Sequence, residues 1–429
     1  MLASQYEIIA DQPELIQEKP PRKRSPLTVA MVVYAFYESD TRVMQYAEAL
    51  AERGDSVEIL ALRRDTSLPK VEVIRGVTVY RLQERALDEK GPASYLKRIL
   101  QFALRSSMFL YRRQKQRPYD LIHVHNVPDF LVFSALPARK KGAPIILDIH
   151  DLLPELYASK FGIKPGSMIY KALLWVERLS ARYATHVIVA NHIWCNRLAD
   201  RSSSPLKCSV IRNRPDTRIF QRSITAPSHQ TPKRFLLTYP GSLNTHQGVD
   251  VAIRAFARVA FLMPDADFHI YGEGAAKPSL IALASERGME GRILFHPYVP
   301  TQKVAQIMEH TDLAIEPKRS QSAFGNEALS TKLLEFMTMG VPIIASRTAI
   351  HALYYDDSIV QYYDHDDEHA LAYQMLRLWR DRSLRESLAQ RALAFARNNT
   401  WDARKHEYCD LVDSLVDARV RPGKEGRSA

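Results

Sequence analysis

The chain has 429 residues, 46% of them hydrophobic and 25% charged, and carries a net charge of +11. That length allows two domains with full cores, and the composition is that of an ordinary globular protein. A pI of about 9.4 points to an anionic partner: a nucleotide, a membrane surface or a nucleic acid. No apolar run approaches the roughly 18 residues that a membrane span needs. Cys195, Cys208 and Cys409 have neither metal nor redox spacing, which points to a reducing, cytoplasmic compartment. The first twenty residues carry acids and no apolar core, unlike a signal peptide.

Residues 1–26 end on Lys19-Pro20-Pro21-Arg22-Lys23-Arg24-Ser25-Pro26 and read as a disordered basic arm, either solvated or in contact with phosphate or lipid headgroups. A first domain then spans residues 27–222. Leu27 to Tyr34 reads as a buried strand, Thr41 to Arg53 as a helix that Asp40 or Thr41 caps, and Val57 to Leu62 as the next strand. This is the βαβ opening of a parallel sheet. The intervening loop, Ala35 to Asp40, contains no glycine, so the dinucleotide fingerprint of an NAD or FAD enzyme is missing where it belongs.

Val71 to Leu82 reads as an extended pair of strands. In the helix that follows, Leu96, Ile99, Leu100, Ala103, Leu104, Ser107, Leu110 and Tyr111 form one stripe at helical spacing, expected to face the core. Arg98, Arg105 and Arg112 recur every seven residues on another face, and residues 95–117 contain no acid. That face is either solvated or apposed to membrane phosphates. Asp120 to His125 and Pro144 to Asp148 read as strands. The second runs into His150 and Asp151, just past the strand end that faces the ligand crevice of an open α/β sheet. His123 reads as a packed histidine. A helix from about Ser167 to Tyr183, strand His186 to Ala190, a short helix and strand Cys208 to Arg212 complete the half.

Residues 223–234, with two prolines and no periodicity, read as a linker. The second domain, residues 235–400, repeats the alternation. Strand Phe235 to Tyr239 enters the loop from Pro240 to Gly248, and strand Asp267 to Tyr271 enters Gly272-Glu273-Gly274, whose glycines would let backbone approach a ligand. Strand-like Asp312 to Pro317 and Val341 to Ala345 bracket a helix from Ser330 to Met339, stopped by Gly340 and Pro342. Glu327 and Glu335 stand eight apart across its start, and Lys332 lies in its first turn. The helix dipole opposes a cation there. An anion sharing the site removes the conflict, since free N–H groups and a cation make a phosphate cradle. Trp401 opens a last helix, residues 401–420, and residues 421–429 read as a disordered tail.

This layout resembles the GT-B nucleotide-sugar glycosyltransferases, specifically the retaining glycosyltransferase family 4, over roughly residues 27–418. The Glu-x7-Glu pattern of Glu327 and Glu335, followed by Phe336-Met337-Thr338-Met339-Gly340-Val341-Pro342, is its most specific element. Asn213, Gly241, Gly272, Gly274 and the Trp401 helix support it by order and spacing. The resemblance implies an α/β fold of two Rossmann-like, doubly wound domains facing a cleft, with the last helix crossing back to the first domain. It implies that Glu327 binds donor-sugar hydroxyls, Glu335 the ribose, and N–H groups of Ser330 and Thr331 with Lys332 the diphosphate. Glu327, Lys332 and His150 would then serve catalysis, with His150 near the sugar and acceptor.

Two departures stand out. The family's arginine and lysine after the Gly241 position are Ser242 and Gln247 here, so Lys332 with Lys318 or Arg319 is expected to replace them. Tyr37, Asp40 and Arg42 stand where the family has Gly-Gly, marking a distinct acceptor face. The implied reaction moves a sugar from a UDP- or GDP-sugar to a hydroxyl of a lipid-linked saccharide, as in assembly of bacterial surface polysaccharide at the inner face of the membrane. No metal, no cofactor beyond the donor and no nucleic acid are expected. A GT-B epimerase or phosphorylase, and more remotely a nucleic-acid-binding or scaffold protein, remain as alternatives.

Overall fold

The computed structural model describes residues 25–85, 92–222, 234–321 and 323–420. The expected arm up to Arg24, the linker apart from Arg234, and the C-terminal tail lie outside the described residues. The first half runs through β1 (Thr28–Val32), α1 (Thr41–Glu52), β2 (Ser56–Arg63), β3 (Val71–Ile74), β4 (Val77–Glu84), α2 (Pro92–Gln116) and β5 (Leu121–His125). It continues with α3 (Leu136–Arg139), β6 (Ile145–Ile149), α4 (Leu153–Phe161), α5 (Met168–Tyr183), β7 (His186–Val189), α6 (His192–Arg201) and β8 (Cys208–Val210). The strands order as β3-β4-β2-β1-β5-β6-β7-β8. All neighbours are parallel except the hairpin β3–β4, whose turn places Arg75 and Gly76 at φ 49° and 82°, the left-handed pair that matches strand twist.

The second half holds β9 (Phe235–Pro240), α7 (Val249–Val259), β10 (Ala266–Tyr271), α8 (Lys277–Glu286), β11 (Ile293–His296), α9 (Thr301–Glu309) and β12 (Leu313–Glu316). After it come α10 (Ala323–Glu327), α11 (Thr331–Thr338), β13 (Ile343–Ser346), α12 (Ala349–Tyr354), β14 (Gln361–Tyr363), α13 (Glu368–Arg380), α14 (Arg382–Arg397) and α15 (Trp401–Val420). This sheet is wholly parallel, in the order β11-β10-β9-β12-β13-β14. Strand order reverses between β1 and β5 in one sheet and between β9 and β12 in the other, the switch points at whose carboxyl ends such sheets bind ligands.

Strand alternation sends Val29, Met31 and Val33 to one core and Ala30 and Val32 to another. The first is covered by α1 and by α15, whose Trp401, Tyr408, Val412 and Val416 are buried there. The last helix therefore returns to the first sheet, and the N–H of Trp401 donates to the carbonyl of Pro215. The second core is covered by α2, a 3-10 segment at Asp129–Ala135, α3 and α5. The core takes Ile99, Phe102 and Leu110 of α2, with Ser106, and leaves Leu96, Leu100, Leu104, Met108 and Tyr111 exposed. That corrects the expected inward stripe. With apolar residues on both sides of the helix, periodicity alone could not set which side faces in.

Candidate active site at the facing strand ends

Backbone crowding shapes the floor of the second-domain crevice. A Cβ on Gly272, at φ 145°, would lie 1.9 Å from the Gly241 carbonyl oxygen, and one on Gly274 would lie 2.3 Å from that of Leu243. These glycines let loop approach loop, a close packing that requires the missing side chains at 272 and 274. Gly241 lies beside Lys332: a Cβ there would come 2.9 Å from its ammonium. Ser242 and Gln247, where cations were missing, bond one another, Gln247 Nε2 donating to Ser242 Oγ at 3.2 Å.

Ser330 occupies the N-cap of α11 without a side-chain cap bond. Lys332 reaches back to Glu316 at the end of β12, Nζ to Oε2 2.9 Å, and lies 4.2 Å from the centre of the Tyr239 ring. Burial opposes its charge, but Glu316 and Tyr239 hold it above the ordinary lysine value. Burial likewise opposes the Glu316 carboxylate, and Lys332 keeps it below the usual range. Burial pushes the Glu335 carboxyl up to about 7, against a hydrogen bond from Thr331 and the charge of Lys332.

The expected substitutes for the missing cations behave differently. Lys318 is buried, its ammonium donates to the Ala328 carbonyl, and burial brings it down to about 8. Arg319 forks between Asp250 and Asp366, at 2.5 and 2.7 Å. Its guanidinium is held by two carboxylates, which corrects its assignment to the diphosphate. The chain carries two Asp-x-Asp pairs, Asp265/Asp267 and Asp364/Asp366. Asp267 pairs with Arg234 and Arg292, and Asp366 with Arg319, so those two carboxylates are already engaged by arginines.

The first domain closes the other side. Arg197 of α6 meets Glu327 at the end of α10, Nη2 to Oε1 2.5 Å, and Asn191 Nδ2 donates to the Glu327 carbonyl at 3.1 Å. Burial raises the Glu327 carboxyl and Arg197 opposes the rise. Arg197 also approaches Glu155, which Arg201 ties to Glu177. Phe324 lies between Trp194 of α6 and His246, with ring centroids 5.9 and 5.6 Å away.

His150 follows β6. Its Nε2 lies 2.9 Å from Asp148 Oδ2 and 3.4 Å from His125 Nδ1. Burial works against the imidazolium, yet Asp148 carries the His150 pKa above its ordinary value. Asp148, fully buried, takes a two-pronged bond from Arg42 at 2.7 and 2.8 Å. Arg42 also donates to the Ile211 carbonyl and to Asn213 Oδ1. Arg42 is thus buried structure and Tyr37 is fully buried, which corrects both as acceptor-face residues. Asp40 caps α1 through the Val43 N–H. His123, His125 and Asp148 cluster within metal-ligand reach of one another. The guanidinium already on Asp148 opposes a second cation there, so the cluster works as a hydrogen-bond network, and His123, its Nδ1 2.9 Å from the Tyr408 hydroxyl, is a packed histidine as expected.

Among the described residues, buried polar atoms without a hydrogen-bond partner include Glu316 Oε1, Glu327 Oε2 and Ser330 Oγ, while Lys332 Nζ faces Glu316 Oε2. Such atoms are costly unless something satisfies them, and these three lie at the end of β12, the end of α10 and the N-cap of α11. The sequence reading missed Glu316, Arg197 and Asp148. Glu316 and Asp148 each leave a trace, as a charge at the end of an apolar strand, and Arg197 leaves none.

A family described as "Glycosyl transferase 4-like domain" matches residues 39–214, and one described as "Glycosyl transferases group 1" matches residues 221–395. The chain belongs to the GT-B glycosyltransferases. This glycosyltransferase is 24% identical to a 2-deoxystreptamine glucosyltransferase of Streptomyces kanamyceticus, over 71% of the chain and 79% of the relative. It is also 24% identical to a D-inositol 3-phosphate glycosyltransferase of Salinispora tropica, over 88% and 81%. Sucrose-phosphate synthase from Thermosynechococcus elongatus superposes with a TM-score of 0.74 at 18% identity, covering 91% of this chain and all of that one. HepE of Anabaena, in complex with UDP and glucose, superposes with a TM-score of 0.69 at 15% identity, covering 90% and 100%.

Proposed function

We propose that this glycosyltransferase moves a sugar from a UDP- or GDP-sugar to an acceptor hydroxyl with retention at the anomeric carbon. The unsatisfied oxygens of Glu316, Glu327 and Ser330, with the Lys332 ammonium beside Glu316, carry this reading. They supply an ammonium, a hydroxyl and carboxylate acceptors beside free helix N–H groups, the set a nucleoside diphosphate sugar requires. Lys332 and the first N–H groups of α11 hold the diphosphate, Glu335 the ribose hydroxyls, and Glu327 the sugar. Lys332 takes the place of the cations missing at Ser242 and Gln247.

As the bond from the anomeric carbon to the diphosphate oxygen breaks, negative charge grows on the leaving group where Lys332 waits. The acceptor oxygen bonds to the same face of that carbon, and its proton passes to the departing phosphate oxygen. This step needs neither a dedicated protein base nor a metal. His150, held by Asp148, lines the first-domain side. Relatives named for transfer to 2-deoxystreptamine and to D-inositol 3-phosphate support a hydroxyl acceptor. The basic, acid-free α2 supports one that is lipid-linked.

The test is a thermal-shift panel of nucleotide sugars, because a bound donor raises the unfolding midpoint with its concentration. A UDP- or GDP-sugar that shifts wild type and fails to shift Lys332→Ala is expected. No shift with any nucleotide sugar overturns the reading, and turnover of the donor without an acceptor makes the protein an epimerase instead.

A further inference from the structure

Helix α5 is built inside out. Its buried residues are Glu177, Ser180 and Ala181, while Met168, Ile169, Trp175 and Leu179 are exposed, Trp175 to 62%. A water-facing helix shows the opposite arrangement. Helix α2 does the same in part, burying Ser106 and Gln114 while leaving Leu104 66% and Met108 53% exposed. Both helices pack on the 3-10 segment Asp129–Ala135 and cover one core. That segment and α3 add Phe133 and Leu136, also exposed. Twelve of the twenty large apolar side chains exposed among the described residues fall between Leu96 and Leu179.

Charge follows the same boundary. Residues 92–190 hold fifteen Lys and Arg against six Asp and Glu, nine of the chain's eleven net positive charges. All six acids, Asp120, Asp129, Asp148, Asp151, Glu155 and Glu177, are buried or half-buried, while Lys97, Arg105, Lys160 and Lys171 are exposed. Lys115 lies 4.4 Å over the exposed Tyr111 ring.

We propose that α2, the 3-10 segment with α3, and α5 form one docking face for an anionic lipid bilayer, with Trp175 and Tyr111 at the headgroup level. An apolar surface of this extent on a protein marks an interaction site. Aliphatic and aromatic side chains interspersed with exposed Lys and Arg match an acyl boundary beneath anionic headgroups. Nucleic acid would use the cations and leave the aliphatic side chains wet. The proposal deepens the lipid-linked reading by giving its surface, and adds α5, which carries no signal of basic periodicity.

Sedimentation with vesicles tests it without nucleotide, so the outcome is independent of donor binding. Vesicles of phosphatidylcholine with phosphatidylglycerol at low salt are expected to pellet the wild type, and phosphatidylcholine alone to pellet much less. Leu104→Glu with Trp175→Glu should weaken binding about tenfold or more, with the unfolding midpoint and nucleotide shift unchanged, since both side chains are exposed. Equal binding by this double variant, or no wild-type binding to anionic vesicles, overturns the proposal. So does a wild-type dimer that the double variant turns into a monomer, which would show that a second copy covers the face. A failed nucleotide panel beside intact vesicle binding would sink the catalytic reading alone.

Discussion

Lys332 Nζ lies 2.9 Å from Glu316 Oε2, at 14% and 4% side-chain exposure, between β12 and the first turn of α11. The pair fixes an ammonium at the one end of a helix where the dipole disfavours it. Removing one partner of such a buried pair costs about 3–5 kcal/mol, because the other charge is left uncompensated. Lys332→Ala therefore lowers both stability and nucleotide affinity, and the two effects need separating. Lys332→Met with Glu316→Gln removes both charges, so much of the lost stability returns in denaturant titration. Nucleotide binding by calorimetry should stay lost. Recovery of affinity along with stability would make Lys332 a structural residue only.

Arg197 makes the corresponding contact across the crevice. It holds the Glu327 carboxyl down against burial, so Arg197→Ala lets that carboxyl rise further. The acidic limb of the pH profile of kcat/KM then moves to higher pH, and Arg197→Lys restores part of the difference. An unmoved limb in Arg197→Ala means that Glu327 does not set it.

Glu335 titrates near neutrality, so a donor site that includes it is expected to be pH-sensitive. Its folded pKa of about 7 stands above the ordinary 4.5, so the folded state binds the proton more tightly. Its contribution to stability is full below about 4.5 and is lost as pH rises through about 7. Under the proposed ribose contact, hydroxyls donate to the ionised form, so nucleotide affinity is expected to run the other way and climb through the same window. Calorimetry with UDP or GDP at pH values about 1.5 units below and above the Glu335 pKa should show the rise in wild type. Glu335→Gln should flatten it, and a variant that keeps the wild-type slope removes the ribose assignment.

Much of this architecture is legible in the sequence because its signals are local. The βαβ alternation, the stops at Gly340 and Pro342, and Glu327 and Glu335 around one helix start all lie within short windows. The parts that stayed hidden are long-range. Arg42 and Asp148 are 106 residues apart, and Arg197 and Glu327 are 130 apart. The sequence points Arg42 to the acceptor face and Glu327 to the donor sugar, and nothing local marks Asp148 or Arg197 as their partners. Arg319 looked free for phosphate because Asp250 and Asp366 reach it only in the folded chain. The face of α2 was misassigned for a different reason, since apolar residues on both sides of the helix leave its phase open.

The hidden pair Arg42–Asp148 bears on His150 as a positioning device. Asp148 receives the Arg42 fork on both oxygens, and Oδ2 also faces His125 and His150. A carboxylate held this way raises the His150 pKa, and the stability that results is full below the ordinary histidine value and lost as pH rises through the folded one. Asp148→Asn removes the charge and leaves Arg42 buried without it, at about 3–5 kcal/mol. Pairing it with Arg42→Met takes out both charges and should recover part of that loss. In both variants the His150 pKa, read from its imidazole resonances in an NMR titration, should fall below the wild-type value. A recovered stability with a lowered His150 pKa and a displaced pH profile would separate positioning of His150 from mere support of the fold. An unchanged His150 pKa in the double variant would mean that Asp148 serves the packing of β5, β6 and α1 alone.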